Sequence, residues 1–411
     1  MSSSVSTVVR RRRVFYIPGY DPFPPRRYRE LYRNEAEAQA AISGYVVSQT
    51  PNARDDGFGW RVTADIDGTR SVADIEVLTW SDIVQQSRPH SVLTTYRDLL
   101  RTAWIYISTG AIFRLMRLRK GPLIAALYPV CVLVAQALLA FALGWVIYRI
   151  VALGSPPLPA PFADLLGVVA GALAATMLLR WFKAHDGRFF AYYLMHDFAF
   201  SAAGRGAYAD VLETRLAEFR QRISEALSEE LDEVLLVGHS SGAHLGVSVL
   251  ADMVRHGEYG AKRPALSFLS LGHVVPMVSF LPEADRLRGD LRVLSTAHDI
   301  AWVDVTAPGD GCCFALCDPV AVSGQDTPDR VGPLVFSAAF TQSLSPELWR
   351  ALRWRFFRLH FQYLCAFDRP KDYDYFQITA GPKTLRERYK DRPSSKSRLA
   401  YTVSKYTSAR L

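Results

Sequence analysis

The stretch DEVLLVGHSSGAHLG, Asp232 to Gly246, decides how this chain is read. Two acidic residues lead into the apolar run Val234–Val237. Gly238-His239-Ser240-Ser241-Gly242 follows, and then an Ala- and Leu-rich segment of helical character. The order is strand, sharp turn, helix, with a serine at the apex. Such a G-x-S-x-G turn needs its glycines for a physical reason. The serine backbone is strained, and side chains two residues to either side would collide with the neighbouring strand and helix.

Outward from this turn, strands and helices alternate. Before it, Tyr208–Leu231 has the periodicity of an amphipathic helix. After it come a helix over Ala243–Arg255, a strand over Ala265–Leu271, a short helix over Pro282–Leu287 and a strand over Ile300–Val305. The apolar block Trp349–Leu364 is long enough for a helix and a strand. Near the N-terminus, Val14–Ile17 predicts a strand that runs into Pro18-Gly19, and Arg27–Ser43 predicts a helix that stops at Gly44. Trp60–Ile66 and Val72–Thr79 predict two strands joined at Asp67-Gly68-Thr69. Strands separated by helices imply an α/β fold, with a mostly parallel sheet covered on both faces.

Between these parts the composition changes. Gly121–Tyr148 holds no charged residue, which exceeds the roughly 20 residues that cross a bilayer core. Phe162–Phe182 carries charge only near its ends, at Asp164 and Arg180. The Pro-rich link Gly154–Pro161 joins the two, so they predict a transmembrane hairpin with spans of about 123–148 and 162–182. Ser91–Lys120, apolar and basic at helical spacing, predicts a helix lying along the membrane before it. Arg114, Arg117, Arg119 and Lys120 precede the hairpin, Arg180, Lys183 and Arg188 follow it, and the link has no basic residue. By the positive-inside rule both flanking parts face the cytoplasm, and in a bacterium the membrane would be the inner one. The expected organisation is a basic arm (1–13), an N-terminal part of the α/β domain (14–120), the hairpin (121–182), a C-terminal part (183–382) and a basic tail (383–411).

The net charge of +8 is concentrated at the ends. Arg10–Arg13 lie in the arm, and nine Lys/Arg stand against Glu387 and Asp391 in the tail. The tail reads either as a solvated segment or as one drawn to anionic headgroups. No basic stripe interleaved with aromatics suggests nucleic acid. The odd count of five cysteines, without a C-x-x-C pair, fits reduced cytoplasmic thiols. Cys312, Cys313 and Cys317 lack a second pair at zinc spacing, so neither metal nor cofactor is expected.

The turn at Gly238–Gly242 resembles the nucleophile elbow of the α/β-hydrolase family. That resemblance makes Ser240 the attacking residue, and it implies an acid and then a histidine later in the chain. In this family the acid typically sits just beyond a strand, and Ile300–Val305 is followed by Thr306-Ala307-Pro308-Gly309-Asp310-Gly311. Asp310 fits that place; Asp304, at the strand end, is the alternative acid, with Asp318 and Asp326 behind it. His360 is the histidine that follows the acid candidates. His239 and His244 flank the serine but belong to the elbow's own strand and helix, and His273 and His298 precede the acid. The oxyanion hole needs two N–H donors. Ser241 would supply one, and Gly19 or Tyr20, in Ile17-Pro18-Gly19-Tyr20, the other.

The function implied is that of a membrane-anchored serine hydrolase. It would cleave an ester or thioester through a Ser-His-Asp acyl-enzyme mechanism at the cytoplasmic face. The membrane location suggests a lipid or acyl substrate and the bilayer itself as a partner. The alternative is a non-catalytic α/β-hydrolase-fold module for interactions at the membrane. Oligomeric state is not legible, although Gly167, Gly171 and Ala175 sit four apart on the second span, a spacing that suits packing within the hairpin.

Overall fold

A computed structural model describes residues 8–51, 57–88, 91–154, 159–259 and 264–411. The chain divides into two compact units. One comprises Met1–Gln85, Thr109–Pro122 and Gly204–Leu411, and the other Gln86–Ser108 and Leu123–Ala203.

The first unit is built on one sheet of eight strands: β1 (Arg11–Ile17), β2 (Val46–Pro51), β3 (Gly59–Ile66), β4 (Thr69–Val77), β5 (Glu233–His239), β6 (Ala265–Leu271), β7 (Ala301–Thr306) and β8 (Leu334–Ser337). Their order across the sheet is β2-β3-β4-β1-β5-β6-β7-β8. Pairing from β4 to β8 is parallel throughout, while β3 runs antiparallel to both its neighbours. This is the mixed α/β architecture expected from the alternating pattern. Every residue of β5 is buried, as a strand covered on both faces requires.

Several local expectations are corrected. The first strand starts at Arg11 rather than Val14, so the basic run of the expected arm enters the sheet, with Arg10 and Arg11 exposed. Arg12 and Arg13 are buried, and the sheet supplies their counter-charges. Arg12 Nε donates to Glu233 Oε2 at 2.7 Å and its Nη1 to the Gly381 carbonyl at 2.8 Å. Arg13 pairs with Glu76, which also takes Arg222 at 2.9 Å. The tail is not a loose segment either. Leu399 N–H donates to Leu316 at 2.7 Å, Ser395 N–H to Val335 at 2.8 Å, and the Arg288 guanidinium reaches the Ser408 carbonyl at 2.6 Å. These loop-to-loop bonds leave no periodic signal in sequence.

The polar edge strand β2 and the four-residue β8 were not foreseen, because neither has the apolar alternation that marks a half-buried strand. Trp349–Leu364 contains no strand. Ser345 caps a helix at Pro346–Leu352, a second helix spans Phe356–His360, and a 3-10 turn covers Phe361–Leu364. The helix expected at Pro282–Leu287 starts at Asp285 and runs to Ser295, and a further short helix spans Val275–Ser279.

Ser91–Lys120 is likewise not one helix. It breaks into Val92–Ser108 and Ala111–Leu115 around Gly110, whose φ of 73° interrupts the helical backbone. Lys120–Leu153, whose first three residues belong to the first unit and the rest to the second, and Ala160–Ala184 in the second are two helices long and apolar enough to cross a membrane. Of the link expected at Gly154–Pro161, residues 155–158 lie outside the described residues. Along these helices the Gly144 and Gly171 backbones meet without side chains between them, and Tyr148 Oη donates to Asp164 at 3.1 Å. A small-residue face thus closes the hairpin on itself.

Candidate active site

Ser240 stands between β5 and the helix Ser241–Arg255 with φ 57° and ψ −119°. A residue with a Cβ rarely holds such a backbone, and here the surroundings impose it. A Cβ on Gly238 would lie 2.6 Å from the Gly242 carbonyl oxygen, and one on Gly242 would run into the Ile17 and Pro18 carbonyls. Close approach of β1, β5 and the helix therefore demands glycine on both sides of the serine. The Ser240 N–H is held by the Leu271 carbonyl at 2.9 Å.

Gly19 belongs to the same close packing, since a Cβ there would sit 2.9 Å from Ser240 Cβ. The loop that carries it is fixed by Trp80, whose indole N–H donates to the Pro18 carbonyl at 3.0 Å. Among the described residues, the backbone N–H groups of Ser241 and Gly19 donate to no acceptor. Two donors thus lie beside the serine, one of them at a helix N-terminus where the dipole favours negative charge. Tyr20 is buried, its ring edge-on to Trp80 with centroids 6.0 Å apart.

On the far side of β5, Asp310 and His360 come together. His360 Nδ1 and Asp310 Oδ2 are 2.7 Å apart. Tyr363 Oη donates to the same Oδ2 at 3.0 Å, and the Cys312 N–H donates to Oδ1 at 2.9 Å. Burial alone would raise the Asp310 pKa. The charge and hydrogen bond of His360, with the bond from Cys312, outweigh it and hold the carboxyl below its usual range.

His360 Nε2 is buried and, among the described residues, has no hydrogen-bond partner, and no bond joins it to Ser240 Oγ. The two residues share a neighbour in Leu271-Gly272. The Leu271 carbonyl holds Ser240, and a Cβ on Gly272 would lie 3.2 Å from His360 Cε1. His239 steadies the histidine from beneath. Its Nε2 donates to the His360 carbonyl at 3.0 Å, with ring centroids 4.7 Å apart. Burial, then the nearby His360, lower the His239 pKa to about 3, so this ring stays neutral near pH 7.

The other candidate acids, and the side chains of His244 and His273, are bonded elsewhere. Asp304 accepts from Ser270 Oγ at 2.6 Å and lies 3.6 Å from His273, and burial raises its pKa well above the carboxylate range. Asp318 caps a short helix and pairs with Arg330, which also takes Asp326. His244 Nδ1 and Tyr208 Oη are hydrogen-bonded at 2.8 Å; burial lowers the His244 pKa to about 3. His273 bonds the Cys317 carbonyl at 2.9 Å, and Arg386 reaches the His298 carbonyl at 2.8 Å.

Asp310, Cys312 and His360 offer ligand atoms within 4.8 Å of one another, a grouping that cysteine spacing alone did not suggest. The Asp310 oxygens already accept from His360, Tyr363 and the Cys312 N–H. The donor set fits an Asp–His pair better than a metal.

Three supporting residues were not foreseen. Trp80 and His239 act through backbone carbonyls, which no residue pattern announces. Tyr363 lies three residues after His360, a spacing that puts both on one side of a helical turn. Reading the segment as helix would have exposed it. Comparison of the chain with profiles of known protein families, with curated proteins and with solved structures gave no match.

Proposed function

We propose that this chain is a membrane-anchored serine hydrolase of the α/β-hydrolase type, acting on an ester or thioester at the cytoplasmic face. In this reading Ser240 Oγ attacks the carbonyl carbon while its proton passes to His360 Nε2. Asp310 holds Nδ1–H and so presents Nε2 in its basic form. Negative charge gathering on the carbonyl oxygen meets the Ser241 N–H and a donor from Gly19 or Tyr20. The protonated His360 then releases the alcohol or thiol, and water repeats the sequence to free the acid.

The observation that carries the proposal is the strained Ser240 backbone, held by glycine contacts on both sides and facing the Gly272 neighbourhood that also receives His360. Nothing in the packing of a purely structural turn asks for a side chain there. The gap between Ser240 and His360 is compatible with catalysis, because such bonds often tighten only around substrate. It is also the observation that favours the non-catalytic module.

One experiment separates the two readings. Membranes bearing wild type, Ser240→Ala, His360→Ala and Asp310→Asn are treated with a fluorophosphonate probe. Labelling of wild type is expected, with none in Ser240→Ala, and a rate in the other two reduced by a factor on the order of 10³–10⁴. Folded wild type that stays unlabelled would leave the interaction module as the better reading.

A further inference from the structure

The segment that leads into His360, Arg350-Ala351-Leu352-Arg353-Trp354-Arg355-Phe356-Phe357-Arg358, has an unusual surface. Trp354 is 72% exposed and Phe356 48% exposed, and their rings meet edge to face with centroids 6.4 Å apart. Arg353 lies over the Trp354 ring at 5.5 Å. Arg350, Arg353, Arg355 and Arg358 are all exposed, and among the described residues Arg353 and Arg355 form no ion pair. Leu352 and Leu359 are buried and hold the segment firmly to the core.

Its position gives this surface meaning. The Phe356 ring packs over Gly311, since a Cβ there would be 3.4 Å from Phe356 Cδ1. Gly121 also packs on Gly311, with a prospective Cβ 3.2 Å from its Cα. Gly121 is the second residue of the apolar helix Lys120–Leu153. Arg119, just before it, donates to the Ala315 carbonyl at 2.7 Å and the Ser397 carbonyl at 3.2 Å. The chain thus enters its apolar helix directly against the loop that holds Asp310. The approach to that helix also exposes Phe113 and Met116, with Arg117 and Lys120 beside them.

From this juxtaposition we infer that Arg350–Arg358 is a docking face for the headgroup region of an anionic bilayer, continuous with the start of the membrane helix at Lys120–Gly121. Trp and Arg suit that layer, where the indole is half wet and guanidinium groups meet lipid phosphate. A soluble acidic protein would suit the arginines equally. It would not account for the exposed aromatic rings beside the first turn of an apolar helix. One consequence rests on the hydrolase reading: the Asp310–His360 end of the site would meet substrate presented in the bilayer.

The test uses the full chain reconstituted in vesicles of phosphatidylcholine with phosphatidylglycerol. Subtracting the emission of Trp354→Phe from that of wild type isolates Trp354. Lipid brominated near the headgroup is expected to quench this component at least twofold more than an aqueous quencher does. Arg353→Glu/Arg355→Glu is expected to cut the lipid quenching about twofold or more, as is omission of phosphatidylglycerol. A component quenched from water alone would overturn the inference. So would one shielded from both quenchers, which would mean that protein covers the face.

The same double variant should label with fluorophosphonate in detergent as wild type does, while its hydrolysis of a vesicle-borne ester falls about tenfold relative to a soluble one. Equal hydrolysis of both would detach the docking face from substrate access. Wild type that fails to label in detergent would count against the hydrolase reading alone, since the quenching result does not depend on it.

Discussion

Ser240 keeps a backbone conformation that costs a side chain of order 1–3 kcal/mol. Glycine alone would hold it without strain, so Ser240→Gly is expected to unfold at a higher temperature than Ser240→Ala, with neither variant reacting with the probe. Equal melting of the two in detergent would show that the turn is not strained. The glycines around the serine were legible as a motif because their spacing is local. The identity of the acid was not. Asp304 and Asp310 lie six residues apart after or within the same strand, and only the fold turns one toward His360 and buries the other against Ser270. Tyr363, His239 and Trp80 were invisible for a related reason, since each works through a partner that is remote in sequence or a backbone carbonyl.

At the scale of elements, β1 enters the sheet between β4 and β5 and brings two arginines with it. Arg12 neutralises Glu233, and its guanidinium also bonds the carbonyls of Gly381 and Lys383. Removing one partner of a buried pair strands the other charge. Arg12→Met is therefore expected to lose about 3–5 kcal/mol of stability, and Arg12→Met/Glu233→Gln to recover much of that loss. Urea unfolding in detergent followed by intrinsic fluorescence measures both. A double variant no better than the single one would mean that the arginine acts through packing and its bonds to the carbonyls. The buried strands β5, β6 and β7 are legible in sequence because they are short continuous apolar runs beside helices. β2 alternates too little to give such a signal, and Trp349–Leu364 reads as part strand because aromatic and leucine side chains serve either element equally.

Across the whole molecule, the first unit is gathered from three separated parts of the chain, and the C-terminal residues are what close it. Arg288 is fully buried, and Ser408 supplies two of its acceptors, the carbonyl at 2.6 Å and the hydroxyl at 3.1 Å. Removal of residues 393–411 is expected to destabilise this unit by several kcal/mol, at about 1 kcal/mol for each lost hydrogen bond and more where a buried charge loses its acceptors. Neutralising the exposed Lys396, Arg398 and Lys405 to Gln should leave the melting temperature almost unchanged. If the charge-neutral variant melted as low as the truncated one, the tail would be acting through its charge.

The alternation of strands and helices, the serine at its sharp turn and two helices of membrane-spanning length are legible in the sequence alone. Each is written in neighbouring residues, through period, glycine spacing or unbroken apolar length. Long-range packing alone sets which aspartate meets His360, folds the basic ends back into the sheet and loops, and stacks Gly121, Gly311 and Phe356 together. Those outcomes depend on contacts between residues that lie far apart along the chain, such as the 50 residues between Asp310 and His360, and short-range patterns carry no record of them.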